Sequence, residues 1–437
     1  MISEKLESQS LDNNLKLNIT SIPGGKTALF SVAFHAGAMY ETGFGSGSND
    51  GISHFIEHMF FKGPTPCNRT TKQINEEFSR LGADLNAYTT YDHTIFFAKV
   101  PTRNLRKAAE IWKDLLIKKE IDSTEFDAEK QVVLQEIQLY DDMPEFKAGF
   151  TARKEHFSGT PLEHNILGTL ESVGAIEVDM MKDYIDQFYT FDNALVSLVG
   201  GGFNLRSETK FLASIFNDPI YKPRTLPTYP PKVSISSKRS NLSYHESSTT
   251  KPLSYVAICW DTPGIRSKHF FPLLLLNTYF GNSRTSLLYR EIISKGIAPS
   301  CRYGFEAFND VCAITILYLS PPTKTDGVFN RIIELLIQVR DLKISLELTT
   351  ALKEEIWGSY LSEIEDPSNY GIDLAQKYIK FREPLPARNF HDKIYEITPE
   401  EIQSIKDEIF EEMNMTVYAT GTVPQDWKPS FPDKGPW

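Results

Sequence analysis

The sequence predicts a duplicated α+β fold, in which helices pack on an antiparallel or mixed sheet in each half of the chain. A proline-rich stretch, residues 217–232, carries five prolines in sixteen residues, which blocks both helix continuation and central-strand pairing. It divides the 437-residue chain into nearly equal halves of similar outline. We therefore expect a first domain over residues 1–216, a linker over 217–232 and a second domain over 233–437.

Strand-like runs mark the start and the end of each half. The first half opens with residues 28–36 and closes with residues 194–200, and the second half opens with residues 253–260 and closes with residues 415–421. Long helical patterns and shorter β-branched or aromatic runs lie between these markers. Two copies of one structural unit explain this arrangement.

Composition and charge restrict the class of protein. The chain is 41% hydrophobic and 24% charged, which is typical of a globular protein with a sizeable core. Its net charge of −11 argues against a broad nucleic-acid-binding surface. Four widely spread cysteines favour a reduced compartment, and no apolar run is long enough to predict a membrane span. The polar start with mixed charge resembles neither a secretory signal nor a transit peptide, so we expect a cytoplasmic protein. A mature form whose presequence has been removed is the alternative, because it would look the same.

The motif His-Phe-Ile-Glu-His at residues 54–58 is the strongest functional indication. His54 and His58 are separated by four residues, so both imidazoles lie on one face of a helix and can bind one metal ion. Glu57 projects to the same side, where it can take a proton from a metal-bound water. A hydrogen-bonded core histidine is the ordinary alternative, but burying three polar side chains on an apolar helix without a shared ligand is costly.

A third protein ligand is expected, because catalytic zinc sites commonly use three protein ligands and keep one position open. The candidate segment is the helical pattern over residues 125–142. Within it, Glu129 and Glu136 are seven residues apart and share a face. Solvated glutamates on an amphipathic helix are the alternative, and this segment alone does not exclude it.

Together with the metal motif, several segments resemble the inverted-zinc-motif peptidases, the family of pitrilysin, insulin-degrading enzyme and mitochondrial processing peptidase. These segments are MFFKGP directly after the motif, LNAYTT at residues 85–90, EKQVVLQEI at residues 129–137, and the landmarks at residues 37–41, 51 and 168–171. The resemblance covers the first half well and the second half thinly. It implies two homologous α/β-roll domains, each a mostly antiparallel sheet covered by helices.

The resemblance also implies the roles of the site residues. His54, His58 and Glu136 would bind one Zn²⁺ ion per chain, Glu57 would act as the general base, and Glu129 would steady the site. Other divalent metals could occupy the same ligands in vitro.

The position of the third ligand needs a choice between two neighbouring residues. Glu136 follows His58 by 78 positions, about one more than is usual in the family. A shift of one would place Gln135 at the ligand position, where it could not supply a negative charge. Chemistry therefore favours Glu136.

The segment Asn86, Ala87, Tyr88 and Thr89 resembles the edge strand to which these peptidases add an extended peptide substrate. An ordinary strand with an inward-facing aromatic residue is the alternative reading of the residues alone.

The second half departs from the family pattern, in which an Arg and a Tyr contact the substrate. In the matching segment, residues 289–300, Pro299 replaces the expected Tyr and Ile293 stands near the position of the Arg. Other candidates with a different spacing are Arg290, Arg302 and Tyr303. We therefore expect the zinc-bearing subunit of a heterodimer whose homologous partner lacks the zinc motif and supplies the Arg/Tyr pair. A homodimer is the alternative.

We therefore expect a zinc metalloendopeptidase that acts on small or unfolded peptides. Its role would be leader-peptide or precursor processing, or general peptide clearance. A non-catalytic structural subunit of the same family is the main alternative. A metal-binding protein without hydrolytic activity is a further one, and it would not need Glu57.

Overall fold

The computed structural model describes residues 4–44, 49–116, 120–217, 231–234, 242–247, 252–281, 283–424, 427–429 and 431. Of the expected linker over residues 217–232, residues 218–230 lie outside the described residues. Within the described ranges, every helix is too short or too polar to cross a membrane.

The secondary structure alternates between strands and helices along the chain. The strands are β1 (Lys5–Ser10), β2 (Lys16–Ser21), β3 (Thr27–Phe34), β4 (Asp84–Thr89), β5 (Thr94–Pro101), β6 (Ala194–Gly200), β7 (Leu242–Ser247), β8 (Ser254–Pro263), β9 (Ser300–Ala307), β10 (Val311–Ser320) and β11 (Thr416–Gly421). The helices are α1 (Ile52–Phe60), α2 (Thr71–Arg80), α3 (Leu105–Leu116), α4 (Ser123–Asp141), α5 (Pro144–His156), α6 (Leu170–Ala175), α7 (Val178–Phe188), α8 (Leu205–Phe216), α9 (Phe270–Phe280), α10 (Thr325–Asp341), α11 (Leu346–Ile364), α12 (Pro367–Phe381), α13 (Ala387–Tyr395) and α14 (Pro399–Glu412).

These elements form two compact units. The first unit contains Met1–Gln138, His164–Pro231 and Leu361–Phe390, and the second contains Leu139–Glu163, Lys232–Tyr360 and His391–Trp437. Each unit therefore includes one segment from the other half of the sequence. Those two segments bring α5 into the second unit and α12 into the first.

The first unit is built on a six-stranded sheet in the order β1-β2-β6-β3-β5-β4. Only β2 and β6 run parallel, and every other neighbouring pair is antiparallel. Successive residues of a strand point to opposite faces. Accordingly, Phe30 of β3 stacks on Trp112 of α3 with ring centroids 5.5 Å apart, whereas Leu29 packs against Gly371 of α12. Helices thus cover both faces of β3, which explains its nearly continuous apolar sequence.

The second unit contains a five-stranded sheet in the order β7-β11-β8-β10-β9. Its β7 and β11 run parallel and the other neighbours are antiparallel. α5 packs on β8 and β11, where its buried His156 contacts Asp261 at 2.9 Å and Thr416 at 3.1 Å. This sheet repeats the order and the directions of β2-β6-β3-β5-β4. The duplicated α+β fold predicted from the sequence is therefore confirmed.

The beginning of the chain differs from the expected outline. The run at residues 28–36 corresponds to β3 and does not open the first half, because β1 and β2 precede it. Both earlier strands are short, and β1 mixes polar and apolar residues (KLESQS) with little burial. Such an edge strand gives a weak hydrophobic pattern.

Candidate metal centre

The helix that carries the two histidines begins at a position that requires glycine. Gly51 precedes α1 with φ of 92°, in the left-handed region that side chains disfavour. A Cβ atom at this position would also lie 2.6 Å from the carbonyl oxygen of Leu167. Gly168 has φ of 76°, and a Cβ atom there would lie even closer to the carbonyl oxygen of Asp50. The two glycines therefore let the loop before α6 pack directly against the start of α1.

A buried glutamate satisfies the first backbone amides of the same helix. Glu41 accepts hydrogen bonds from the amides of Gly51 at 2.8 Å and Ser53 at 2.9 Å. Helix N-termini leave such amides without partners within the helix. Burial raises the pKa of the Glu41 carboxyl to about 8, although the hydrogen bonds from Ser53 and Gly51 favour its charged form. The sequence landmark at residues 37–41 therefore ends in a residue that fixes the start of α1.

α1 places His54 and His58 one turn apart, with ring centroids separated by 4.7 Å. Burial, together with the neighbouring His58, lowers the pKa of His54 to about 3. The His54 imidazole is therefore neutral at neutral pH, as a metal ligand must be. Its Nδ1 atom is buried and has no hydrogen-bond partner within the described ranges.

The third candidate ligand lies on α4. The buried stripe of this helix contains Glu129, Val133 and Ile137, whereas Val132 is 47% exposed. Glu136 is half-buried beside this stripe, and the neighbouring Gln135 is exposed. The rotation of α4 therefore directs Glu136 towards the histidines.

The three candidate ligands converge on one point. Oε2 of Glu136 lies 3.8 Å from Nε2 of His54 and 3.4 Å from Nε2 of His58. One ligand atom from each residue can be chosen so that all lie within 4.8 Å of one another. Four ligands at about 2.0–2.1 Å from a tetrahedral zinc ion are separated by about 3.3 Å. The geometry and the donor types thus fit a zinc ion.

Glu129 contacts the second nitrogen of His58. Its Oε1 lies 2.9 Å from Nδ1 of His58, and its Oε2 lies 2.5 Å from Nζ of Lys62. Burial alone would raise the pKa of Glu129, but the hydrogen bonds from His58 and Lys62 outweigh it and lower this pKa. A carboxylate that accepts from Nδ1–H leaves Nε2 of His58 available for a metal.

Glu57 lies on α1, and a residue of the sheet holds its carboxylate by a hydrogen bond. Oγ1 of Thr89, at the end of β4, donates to Oε2 of Glu57 at 2.8 Å. The hydroxyl of Thr89 also lies 3.4 Å from that of Thr94, which contacts the Tyr189 hydroxyl at 3.1 Å. Burial raises the pKa of Glu57 against the opposing effect of the Thr89 hydrogen bond. A raised pKa suits a carboxylate that accepts a proton near neutral pH.

Two family models match consecutive parts of the chain. The insulinase model, peptidase family M16, matches residues 17–170, and the model described as the M16 inactive domain matches residues 175–356. The chain belongs to the insulinase family of peptidases.

Curated relatives of this insulinase-family chain carry both catalytic and structural names. The "uncharacterized zinc protease YmxG" of Bacillus subtilis is 26% identical over 82% of this chain and 84% of its own length. Mitochondrial-processing peptidase subunit beta of Caenorhabditis elegans is 23% identical over 93% of this chain and 88% of its own. Cytochrome b-c1 complex subunit 1 of Mus musculus is 22% identical over 95% of this chain and 86% of its own length. Family membership alone therefore does not decide between catalysis and a structural role.

A solved structure agrees with the family fold. A protease from Helicobacter pylori superimposes with a TM-score of 0.86 at 20% identity, covering 96% of this chain and all of that one. At this identity the similarity concerns the fold.

The segment predicted to bind the substrate forms β4 of the first sheet. β4 stands last in the strand order and pairs only with β5 among the described strands. The side chain of Asn86 is exposed and accepts from the amide of Ala87 at 2.8 Å. The hydroxyl of Tyr88 accepts from Gln376 of α12 at 2.9 Å, and Thr89 contacts Glu57. A role of these residues in substrate binding stays a prediction.

At the matching segment of the second unit, the positions expected to carry the Arg and the Tyr hold Ile293 and Pro299. Ile293 ends a π-helical turn and Pro299 is exposed. Arg302 and Tyr303 are adjacent on β9, so their side chains point to opposite faces. The Tyr303 hydroxyl donates to Oδ1 of Asn277 at 2.6 Å, inside the unit. Tyr303 is therefore engaged in packing.

Sequence reasoning missed three contacts of this centre. It did not assign Glu41 to the start of α1, Thr89 to Glu57, or Lys62 to Glu129. The landmark segments that contain Glu41 and Lys62 were visible, but no spacing rule links either residue to its partner. Thr89 was interpreted only as part of the substrate strand.

Proposed function

We propose that this chain is a zinc metalloendopeptidase that hydrolyses peptide bonds in small or unfolded peptides. The convergence of His54, His58 and Glu136 carries the proposal, together with Glu57 on the helix that bears both histidines. A member of the family that had become purely structural would not need this arrangement of ligands and base.

His54 and His58 would bind the zinc ion through their Nε2 atoms, and Glu136 would bind it through a carboxylate oxygen. When bound, zinc supplies Lewis-acid chemistry, which acidifies a water molecule and polarises a peptide carbonyl. Glu57 would take a proton from the attacking water at a carboxylate oxygen and later deliver it to the leaving amine. The hydroxyl of Thr89 fixes the orientation of the Glu57 carboxylate for both transfers.

The side of β4 that pairs with none of the described strands is our proposed substrate site. An extended peptide could add there as a further strand, held mainly by backbone hydrogen bonds. Such binding depends little on sequence, which suits unfolded segments. Thr89 would then lie at the end of β4, the strand that binds the peptide, and beside the general base Glu57. The same strand would thus position both the peptide and the general base.

We also propose that a homologous partner without the zinc motif completes the active enzyme. The residues at the two expected positions support this, since Pro299 has no phenol and Ile293 has no guanidinium, and the nearby Tyr303 is engaged with Asn277. Processing of a leader peptide or precursor is the activity we favour for such a pair, by analogy with the relative named as a processing-peptidase subunit. Adding a candidate partner to the purified chain should raise peptide hydrolysis; full activity of the chain alone would reject the heterodimer.

A non-catalytic structural subunit is the second candidate, because one relative is named as a subunit of the cytochrome b-c1 complex. In that case the zinc-loaded chain, alone or with its partner, would cleave no peptide.

The central experiment separates metal binding from turnover. Wild-type protein, Glu57→Gln and Glu136→Gln are compared for zinc content and for cleavage of a quenched fluorescent peptide. We expect Glu57→Gln to keep one zinc per chain and to lose about 10²–10⁴-fold in kcat. Glu136→Gln should lose most of its zinc because it removes one of three ligands.

Glu76→Gln is the matched control, since the side chain of Glu76 on α2 is 43% exposed and forms surface ion pairs with Lys72 and Arg80. It should behave like the wild type in both measurements. Wild-type cleavage by Glu57→Gln would show that another group is the base. Full zinc content in Glu136→Gln would overturn the ligand assignment.

A further inference from the structure

The segment that follows the zinc-motif helix contains a lysine in direct contact with Glu129. Nζ of Lys62 lies 2.5 Å from Oε2 of Glu129, while Oε1 of the same carboxylate lies 2.9 Å from Nδ1 of His58. The two oxygens of Glu129 thus have different partners. Lys62 occupies one of them and leaves the other directed at the imidazole.

The same segment reaches α4 at a second point, one helical turn earlier. The amide of Gly63 donates to Oγ1 of Thr71 at 2.9 Å, and this hydroxyl donates to Oε1 of Glu125 at 2.5 Å. Glu125 and Glu129 are four residues apart and therefore lie on the same face of α4. Two successive turns of α4 are consequently held by the residues just beyond α1.

The ion pair between Lys62 and Glu129 differs from an exposed ion pair. An exposed lysine–glutamate pair commonly contributes little, because both side chains lose freedom and water screens the charges. Here the lysine is 24% exposed and the glutamate 12% exposed. The glutamate also has a second partner in His58, which an isolated surface pair lacks.

We propose that Lys62 is a positioning residue for the metal centre. Its ammonium group holds Glu129 so that one carboxylate oxygen faces Nδ1 of His58 and Nε2 faces the metal. Lys62 acts on the metal only through Glu129. This inference rests on the proposed function, in which His58 binds zinc.

Zinc affinity of the full chain tests the proposal, by competition with a chromophoric chelator and without any substrate. Partners of a metal-bound histidine commonly contribute 10–100-fold to affinity. We expect Lys62→Met to weaken zinc binding about 10-fold and Glu129→Gln about 10–100-fold. Lys62→Arg should restore most of the affinity, since arginine keeps the charge and the donors.

A double variant identifies the route of the effect. If Lys62 acts through Glu129, adding Lys62→Met to Glu129→Gln should weaken binding by less than about two-fold. Lys72→Met is the matched control, because Lys72 is an exposed lysine on α2 in a surface pair with Glu76. It should bind zinc like the wild type. Nitrogen-15 chemical shifts of His58 in the metal-free protein should change in Lys62→Met and return in Lys62→Arg.

The outcomes separate this inference from the proposed function. A wild-type chain that binds no zinc would reject both. A wild-type chain that binds zinc, with unchanged affinity in Lys62→Met, would reject the role of Lys62 alone. An equal loss in the presence and absence of Glu129 would show that Lys62 acts by another route and would also overturn the proposal.

Discussion

The loop that carries Lys62 is anchored by a buried carboxylate whose removal should destabilise the first unit. Asp114 of α3 accepts from the hydroxyl of Thr65, from the amide of Cys67 at 3.0 Å and from Nη1 of Arg69 at 2.7 Å. Its side chain is 3% exposed. Asp114→Asn preserves the shape but removes the charge and turns an amide donor towards the donors of the loop.

The expected loss follows from these contacts. A hydrogen bond to a charged group contributes about 1.5–3 kcal/mol, and breaking a buried ion pair costs about 3–5 kcal/mol. Arg69 is only partly buried and keeps its second partner, Glu77, at 3.1 Å. We therefore expect a value near the lower limit, about 3 kcal/mol of unfolding free energy at pH 7.

The loss of unfolding free energy in Asp114→Asn should depend on pH in a defined direction. Burial would raise the pKa of Asp114, but the hydrogen bonds from Thr65, Arg69 and Cys67 outweigh burial and hold this pKa below the usual 3.8. A depressed carboxylate pKa stabilises the folded state above the unfolded pKa, and this contribution is lost as the pH falls through the folded pKa. The difference between wild type and Asp114→Asn should thus be constant from pH 5 to 8 and shrink below about pH 4.

Urea unfolding followed by tryptophan fluorescence measures this difference. Trp112, on the same helix as Asp114, is the only tryptophan in the sequence ranges of the first unit. Asp179→Asn is the control, because Asp179 is 92% exposed and its loss should change stability by less than about 0.5 kcal/mol. Equal stability of Asp114→Asn and wild type at pH 7, or a difference that persists unchanged at pH 3, would refute this reasoning.

Three further predictions concern the centre itself. Thr89→Val removes the 2.8 Å hydrogen bond to Glu57 and should lower kcat about 10-fold with little change in zinc content; an unchanged kcat would contradict the orienting role. Gly51→Ala places a Cβ 2.6 Å from a carbonyl oxygen at a φ of 92°, so it should destabilise the protein by about 2–4 kcal/mol, seen as a lower thermal midpoint. Zinc at about 1,000 times its Kd should stabilise the wild type by about 4 kcal/mol and leave the Glu136→Gln midpoint nearly unchanged; equal shifts would place the binding site elsewhere.

The central strands were the predictable part of the fold. The expected runs at residues 28–36, 194–200, 253–260 and 415–421 correspond to β3, β6, β8 and β11, which neighbour one another in their sheets. Strands covered on both faces are nearly continuously apolar, and this pattern is visible in the sequence. The placement of α5 and α12 could not be predicted from the sequence. Periodicity predicts a helix and its apolar face, but not the sheet on which that face packs.

The candidate site was predictable to the extent that its spacing is local. The four-residue separation of His54 and His58 fixes their common face before any tertiary structure is known. The choice between Gln135 and Glu136 depends instead on how α4 is rotated against α1, a property of tertiary packing. Chemistry selected Glu136, and in the structure its carboxylate faces both imidazoles.

Four glutamates of the first unit show why sequence spacing could not assign every role. Glu41 accepts two backbone amides, Glu57 accepts a threonine hydroxyl, and Glu129 is shared between a histidine and a lysine. Of the four, Glu136 directs an oxygen towards Nε2 of both histidines. The side chains are identical, so their chemistry differs only through their neighbours, and those neighbours come from distant segments of the chain. A carboxylate already held by amides, a hydroxyl or an ammonium group is restrained from moving towards a cation, and this supports Glu136 as the proposed ligand that completes the coordination of a metal at the two imidazoles.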